Sequence, residues 1–253
     1  MKISVITLFP KMISGFFEES IIKRAQEKKL VDIELVNLRD FSIDDYGTVD
    51  DRPYGGGAGM ILRADVIYKA LTKVKITSQK SKVILTSAKG KKFNQQLAIE
   101  YSKLNHLIII AGHYEGVDER VLDYVDEEVS LGDFVMTGGE ITTAAIVDSI
   151  VRLIPGVLKK EKATQVESFF TISAKYLTEI IGENKILNNL KKKKIETAHL
   201  LEYPQYTRPE IFNNKKVPEV LLSGDHKKIE DWQIKKAFEE TLKKRPDLLD
   251  FNK

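Results

Sequence analysis

Three glycine-marked loops carry the residues best suited to chemistry. They are Ser87-Ala88-Lys89-Gly90, Gly112-His113-Tyr114-Glu115-Gly116 and Leu131-Gly132-Asp133-Phe134-Val135-Met136-Thr137-Gly138-Gly139-Glu140. Each follows a short apolar run bounded by turn residues, the pattern of a buried strand. Ligands of open α/β sheets bind at the carboxyl ends of strands. The three loops therefore predict one pocket built largely from backbone amides and carbonyls. In the third loop, apolar side chains alternate with backbone that a ligand can approach, which suits a flat heterocycle. Gly138-Gly139 then opens a helix, whose N-terminus favours a carboxylate or phosphate. Glu115 could accept two hydrogen bonds from a donor edge such as the N1–H and N2–H of guanine, or be an exposed acid in a tight turn. His113 reads as a structural hydrogen-bonding residue.

Other groups point elsewhere or nowhere. The Gly55–Gly59 cluster is followed by no Gly-Lys-Ser/Thr, and Leu62 breaks a Gly-x-Gly-x-x-Gly spacing, so it reads as a loop. Lys89-Gly90-Lys91-Lys92 lacks the hydroxyl that would hold magnesium. Arg152 ends a helix, where it could simply satisfy the last carbonyls. Glu167-Ser168 lies in a polar stretch. No Ser/His/Asp pattern supports covalent hydrolysis.

The elements that must position these loops follow from periodicity. Lys2–Phe9 and Val31–Leu38 read as strands, and Ile13, Phe17, Ile21 and Ala25 recur every four residues as one helix face. A helix is expected from Ala64 to about Val74. Lys82–Thr86 and Leu107–Ala111 are continuous apolar runs, as expected of strands covered on both faces, with helical Phe93–Leu104 between them. Thr142–Leu153 is a further helix, ended by Pro155-Gly156. This alternation predicts a parallel α/β sheet over residues 1–158. Residues 159–200 read as a polar linker with some helix. Residues 201–253 read as a small, mainly helical domain in which Asp225 caps a helix. Its pairs Lys227/Lys228, Lys235/Lys236 and Lys243/Lys244 recur every eight residues, placing Lys227, Lys235 and Lys243 near one side where they could meet phosphates.

Composition bounds the rest. The chain has 253 residues, no cysteine and four scattered histidines. That excludes disulfides and a thiol nucleophile, and no metal site is expected. No run approaches the ~18 apolar residues of a membrane span, and the start carries no secretory signal, so a cytoplasmic protein is expected. Net charge is only +3, but residues 191–253 hold 15 basic against 11 acidic groups. The excess suits either a polyanion-facing module or a solvated surface.

Taken together, Val49-Asp50-Asp51-Arg52-Pro53-Tyr54-Gly55-Gly56-Gly57, Gly112-His113-Tyr114-Glu115-Gly116-Val117-Asp118-Glu119-Arg120, Gly138-Gly139-Glu140, Ile154-Pro155-Gly156-Val157-Leu158, Tyr203-Pro204-Gln205-Tyr206-Thr207-Arg208-Pro209 and Val220-Leu221-Leu222-Ser223-Gly224-Asp225-His226 resemble the bacterial tRNA (guanine-N1)-methyltransferases of the TrmD type, in order and over nearly the whole chain. The resemblance implies a SPOUT-class α/β fold with a C-terminal trefoil knot in its parallel-sheet domain. It implies a homodimer with the active site at the subunit interface, and methyl transfer from S-adenosylmethionine to N1 of guanosine 37 in tRNA. It places Leu85, Thr86, Ser87, Gly112, Leu131, Gly132, Asp133, Phe134, Val135, Met136, Gly138 and Gly139 around the cofactor. It makes Glu115 a guanine contact, Arg152 the catalytic arginine and Glu167 the general base, supplied by the second subunit. The sulfonium methyl is already activated, so magnesium is compatible with the reaction but not indicated. Two departures stand out. Glu167 occupies a position where the family usually has aspartate, and some thirty residues separate Ser168-Phe169 from Leu200-Leu201 where the family has a few. A tRNA-binding homologue without catalysis, and a nucleotide-binding α/β enzyme without an RNA partner, are the alternatives.

Overall fold

The computed structural model describes residues 1–74, 80–159 and 167–249. The chain forms two compact units, Met1–Lys159 and Lys160–Lys253.

The first unit is built on five strands: β1 (Lys2–Thr7), β2 (Asp32–Asn37), β3 (Ser81–Lys92), β4 (His106–Ala111) and β5 (Glu127–Ser130). They form one sheet in the order β2-β1-β4-β3-β5, and every neighbouring pair is parallel. A strand covered on both faces needs apolar side chains pointing both ways, and all six residues of β4 are buried. Leu107 and Ile109 share a core with α1 (Ser20–Glu27), α3 (Gln95–Tyr101) and α4 (Glu140–Val151). Ile108 and Ile110 share the opposite core with α2 (Ala64–Val74).

Two elements differ from expectation. The helix through Ile13, Phe17, Ile21 and Ala25 is broken into a single turn, Ser14–Phe17, and α1. Ser20 has φ 53°, a left-handed backbone that interrupts the helical ladder, and Ile22 rather than Ile21 joins Ala25 in the core. Strand β3 runs past Thr86 to Lys92, with Thr86 and Lys91 both opposite Val129. Residues 87–90 therefore bulge from the ladder. Gly90 permits this, because a Cβ there would run into the backbone of Glu128 and Val129.

The second unit corrects the expected 159–200 linker, of which residues 160–166 lie outside the described residues. β6 (Phe170–Ser173) and β7 (Thr197–Leu200) pair antiparallel, with α5 (Ala174–Ile181) and α6 (Lys185–Lys192) between them. Ile172, Leu177, Leu187, Leu190, Ala198 and Leu200 form one core with Ile234, Ala237 and Phe238 of α7 (His226–Lys244). This segment thus supplies much of that core. The apolar period was diluted by interleaved lysine and asparagine. Asp225 does cap α7, accepting a hydrogen bond from the Lys228 N–H at 3.2 Å.

Leu187 is 2 % exposed. Leu187→Ala is expected to destabilise the second unit by about 2–5 kcal/mol, read by urea denaturation with Trp232, the single tryptophan, as probe. An insertion that contributes nothing to the core would lose less than about 0.5 kcal/mol.

Candidate active site

All five strands end on one edge of the sheet, and β5 lies beside β3 rather than β4. To enter α4, the chain after β5 crosses the end of β3 and returns to the end of β4. There the Gly139 N–H donates to the Gly112 carbonyl at 2.6 Å, and His113 and Gly138 form an antiparallel bridge. The Gly112 N–H donates to the Thr86 hydroxyl oxygen at 3.1 Å. Gly139 has no space for a side chain: a Cβ would fall on Thr86 Oγ1 and lie 2.9 Å from the Gly112 nitrogen.

A buried carboxylate holds this crossing. Glu140, fully buried, begins α4. The Thr7 hydroxyl donates to its Oε1 at 3.0 Å, and His113 Nδ1 lies 3.3 Å from its Oε2. Burying a carboxylate is costly unless polar partners meet it, so these contacts tie β1, the loop after β4 and the start of α4 together. The His113 ring also meets Phe9 edge-on, with centroids 4.7 Å apart. Sequence reasoning gave His113 its structural role but overlooked Thr7 and Glu140. The available signal was an acid at the first position of the helix that follows Gly138-Gly139.

A cavity of about 250 Å³ opens among the crossed loops. Of the twelve residues expected to bind a cofactor, eleven line it; the exception is Asp133, whose exposed side chain pairs with Lys92. Leu85, Leu122, Val117 and Met136 supply apolar wall, and Gly112, Gly132, Gly138 and Gly139 supply approachable backbone. Glu115, Glu119 and Glu128 add carboxylates. Glu115 is further placed by the glycine loop before it. Its N–H donates to the Met60 carbonyl at 3.1 Å, and its side chain occupies the space where a Cβ on Gly59 would sit. At the same rim, the bidentate Arg120 guanidinium holds the Asp118 carboxyl below its usual range. Among the described residues no cluster of His, Cys, Asp or Glu is suited to a metal ion, and no helix is long and apolar enough to cross a membrane.

The remaining expected site residues do not line this cavity. Arg152 is the C-cap of α4, roughly 20 Å along the helix axis from Gly139, and does not line the cavity. Glu167 belongs to the second unit, where its carbonyl accepts from the Phe170 N–H just before β6. On α7, eight-residue steps leave a drift of about 80° each, so Lys227, Lys235 and Lys243 fan around the helix and do not share one side. Lys227 pairs with Asp231 at 3.0 Å and donates to the Tyr176 hydroxyl at 3.2 Å. Lys235 and Lys243 are exposed and make no ion pair among the described residues.

Gly139→Ala is expected to destabilise the first unit by about 1–3 kcal/mol, since backbone and a buried threonine must both move. Gly15→Ala, in a helical turn with open space around its Cβ position, should instead stabilise by about 0.4–1 kcal/mol. Denaturant midpoints of the two variants check the contrast; equal shifts would mean that Gly139 is not sterically constrained.

The sequence matches, over residues 1–251, the family described as tRNA (Guanine-1)-methyltransferase TrmD. Among curated proteins, one of Mycoplasma capricolum subsp. capricolum is 47% identical over 100% of this chain and 93% of its own length. One of Dictyoglomus turgidum is 46% identical over 99% and 90%, and one of Clostridium botulinum is 48% identical over 98% and 91%. All three are named tRNA (guanine-N(1)-)-methyltransferase. With crossed glycine loops around a cavity and a match along its full length, the chain belongs to the tRNA (guanine-1)-methyltransferase TrmD family.

Proposed function

We propose that this enzyme, a tRNA (guanine-N1)-methyltransferase, uses S-adenosylmethionine to methylate guanosine 37 of tRNA in the cytoplasm. The observation that carries the reading is the cavity among the crossed loops. Its apolar walls and glycine backbone suit adenosine, and Glu115, Glu119 and Glu128 suit a positively charged sulfur. The donor would be held by Leu85–Ser87, Gly112, Leu131–Met136 and Gly138-Gly139, and it would supply an activated methyl group. The return of the chain across β3 supports the C-terminal trefoil knot expected of a SPOUT fold.

The chain's own residues must then activate a poor nucleophile. Guanine N1 carries a proton, and Glu167 takes it as general base, worth about 10²–10⁴-fold. Negative charge spreads to O6 as that proton leaves, and Arg152 holds it, worth roughly 3–4 kcal/mol by analogy with an oxyanion donor. Glu115 accepts hydrogen bonds from the donor edge of the base. Lys227, Lys235 and Lys243 meet tRNA phosphates; for Lys227 this requires exchanging its contacts to Asp231 and Tyr176. The length of α4 keeps Arg152 away from the cavity of its own chain. A homodimer resolves this, with the cavity of one subunit completed by Arg152 and Glu167 of the other.

Arg152→Ala and Glu167→Ala should each lower single-turnover methyl transfer by about 10²–10⁴-fold while donor affinity, measured by calorimetry, stays near wild type. Rates close to wild type would remove those roles. Arg152→Ala mixed with Gly132→Arg, which crowds Phe134 at the cavity wall, should regain part of the activity after subunit exchange. No recovery would contradict completion by the second subunit.

A further inference from the structure

The two exposed basic helices of the second unit differ in their counter-charges. On α7, four of six lysines are neutralised locally: Lys227 by Asp231, Lys228 by Asp225, Lys236 by Glu239 and Lys244 by Glu240. In contrast α6, Lys-Ile-Leu-Asn-Asn-Leu-Lys-Lys, contains no acidic residue. Leu187 and Leu190 turn its apolar face inward. Lys185 and Lys192, seven residues apart, fall within about 20° of one another on the opposite side, and both are exposed, as is Asn189. The outward face therefore offers ammonium and amide donors with no carboxylate among them.

The turn that closes α6 extends this surface and fixes it. The Ile195 N–H donates to the Leu190 carbonyl at 3.0 Å, and the Lys194 N–H to the Lys191 carbonyl at 3.1 Å. This is the double-bonded Schellman end of a helix, with Ile195 packed on the same core as Leu190. The residue in the left-handed position of such a turn is usually glycine, which has no Cβ to strain. Here it is Lys194, at φ 55°. Lys191, Lys192 and Lys194 are exposed and make no ion pair among the described residues. A charged side chain thus occupies a backbone position that would be easier without one, on a turn whose residues 191–195 include no acid.

We propose that α6 and its closing turn form a contact surface for the phosphodiester backbone of the RNA substrate, with Lys191, Lys192 and Lys194 as the phosphate contacts. The inference rests on the tRNA reading above and moves part of the polyanion surface from α7 into the inserted segment.

The test is equilibrium binding of unmodified tRNA across a salt series, together with kcat and KM for tRNA methylation. The combined variant Lys191→Gln/Lys192→Gln/Lys194→Gln should bind about tenfold more weakly, with its salt slope reduced by about two to three, a raised KM and an unchanged kcat. Lys194→Gly keeps the turn and removes one charge. It should unfold at an equal or higher urea concentration than wild type yet lose about one unit of salt slope. Wild-type affinity and slope in both variants, in a protein that still methylates tRNA, would overturn the proposal. Failure of the catalytic reading is distinguishable, because then the unaltered chain would methylate no tRNA.

Discussion

The first unit depends on one steric constraint: the chain must pass over the end of β3 with no atom to spare. The Gly139 N–H reaches the Gly112 carbonyl at 2.6 Å only because neither residue carries a side chain and the Thr86 hydroxyl fills the space beneath. Everything chemically useful in this unit is a consequence of that crossing. It brings loops from three strands to one edge, leaves glycine backbone facing a cavity, and starts α4 directly beneath it. The buried Glu140, met by Thr7 and His113, makes the arrangement specific, since any other path would strand a carboxylate in the core.

Much of this was legible in the sequence because it is carried by local signals. Alternating glycine and apolar residues marked the loops, continuous apolar runs marked β3 and β4, and eleven of the twelve expected cavity residues do line one pocket. Asp133 alone among them does not line it, its carboxylate being turned out to Lys92. The strand order was not legible, for β5 pairs with β3 across some forty intervening residues and no local pattern encodes that choice. Nor were Thr7 and Glu140, 133 residues apart in sequence. The break at Ser20 carries no local signal, because the four-residue apolar spacing around it fits a continuous helix equally well.

The inserted segment shows the same limits in another form. Its three buried leucines are separated by lysines and asparagines, so composition suggested a solvated linker, whereas β6, α5, α6 and β7 build a core with α7. Charge counted along the chain likewise favoured α7, with its six lysines. Placed in three dimensions, four of those six lysines face their own acids, whereas α6 carries no acid at all. Net charge is a weak guide to polyanion binding when acids and bases alternate at helical spacing; what matters is whether a face lacks carboxylates.

The account centres on the methyl donor lying among the crossed loops of the first unit. A crystal structure of the protein with S-adenosylmethionine tests this most directly. The account predicts the adenine among Leu85–Ser87, Gly112 and Leu131–Met136, hydrogen-bonded to main-chain groups of those loops. Clear density for the molecule at any other place on the chain, with this cavity left to solvent, would contradict it.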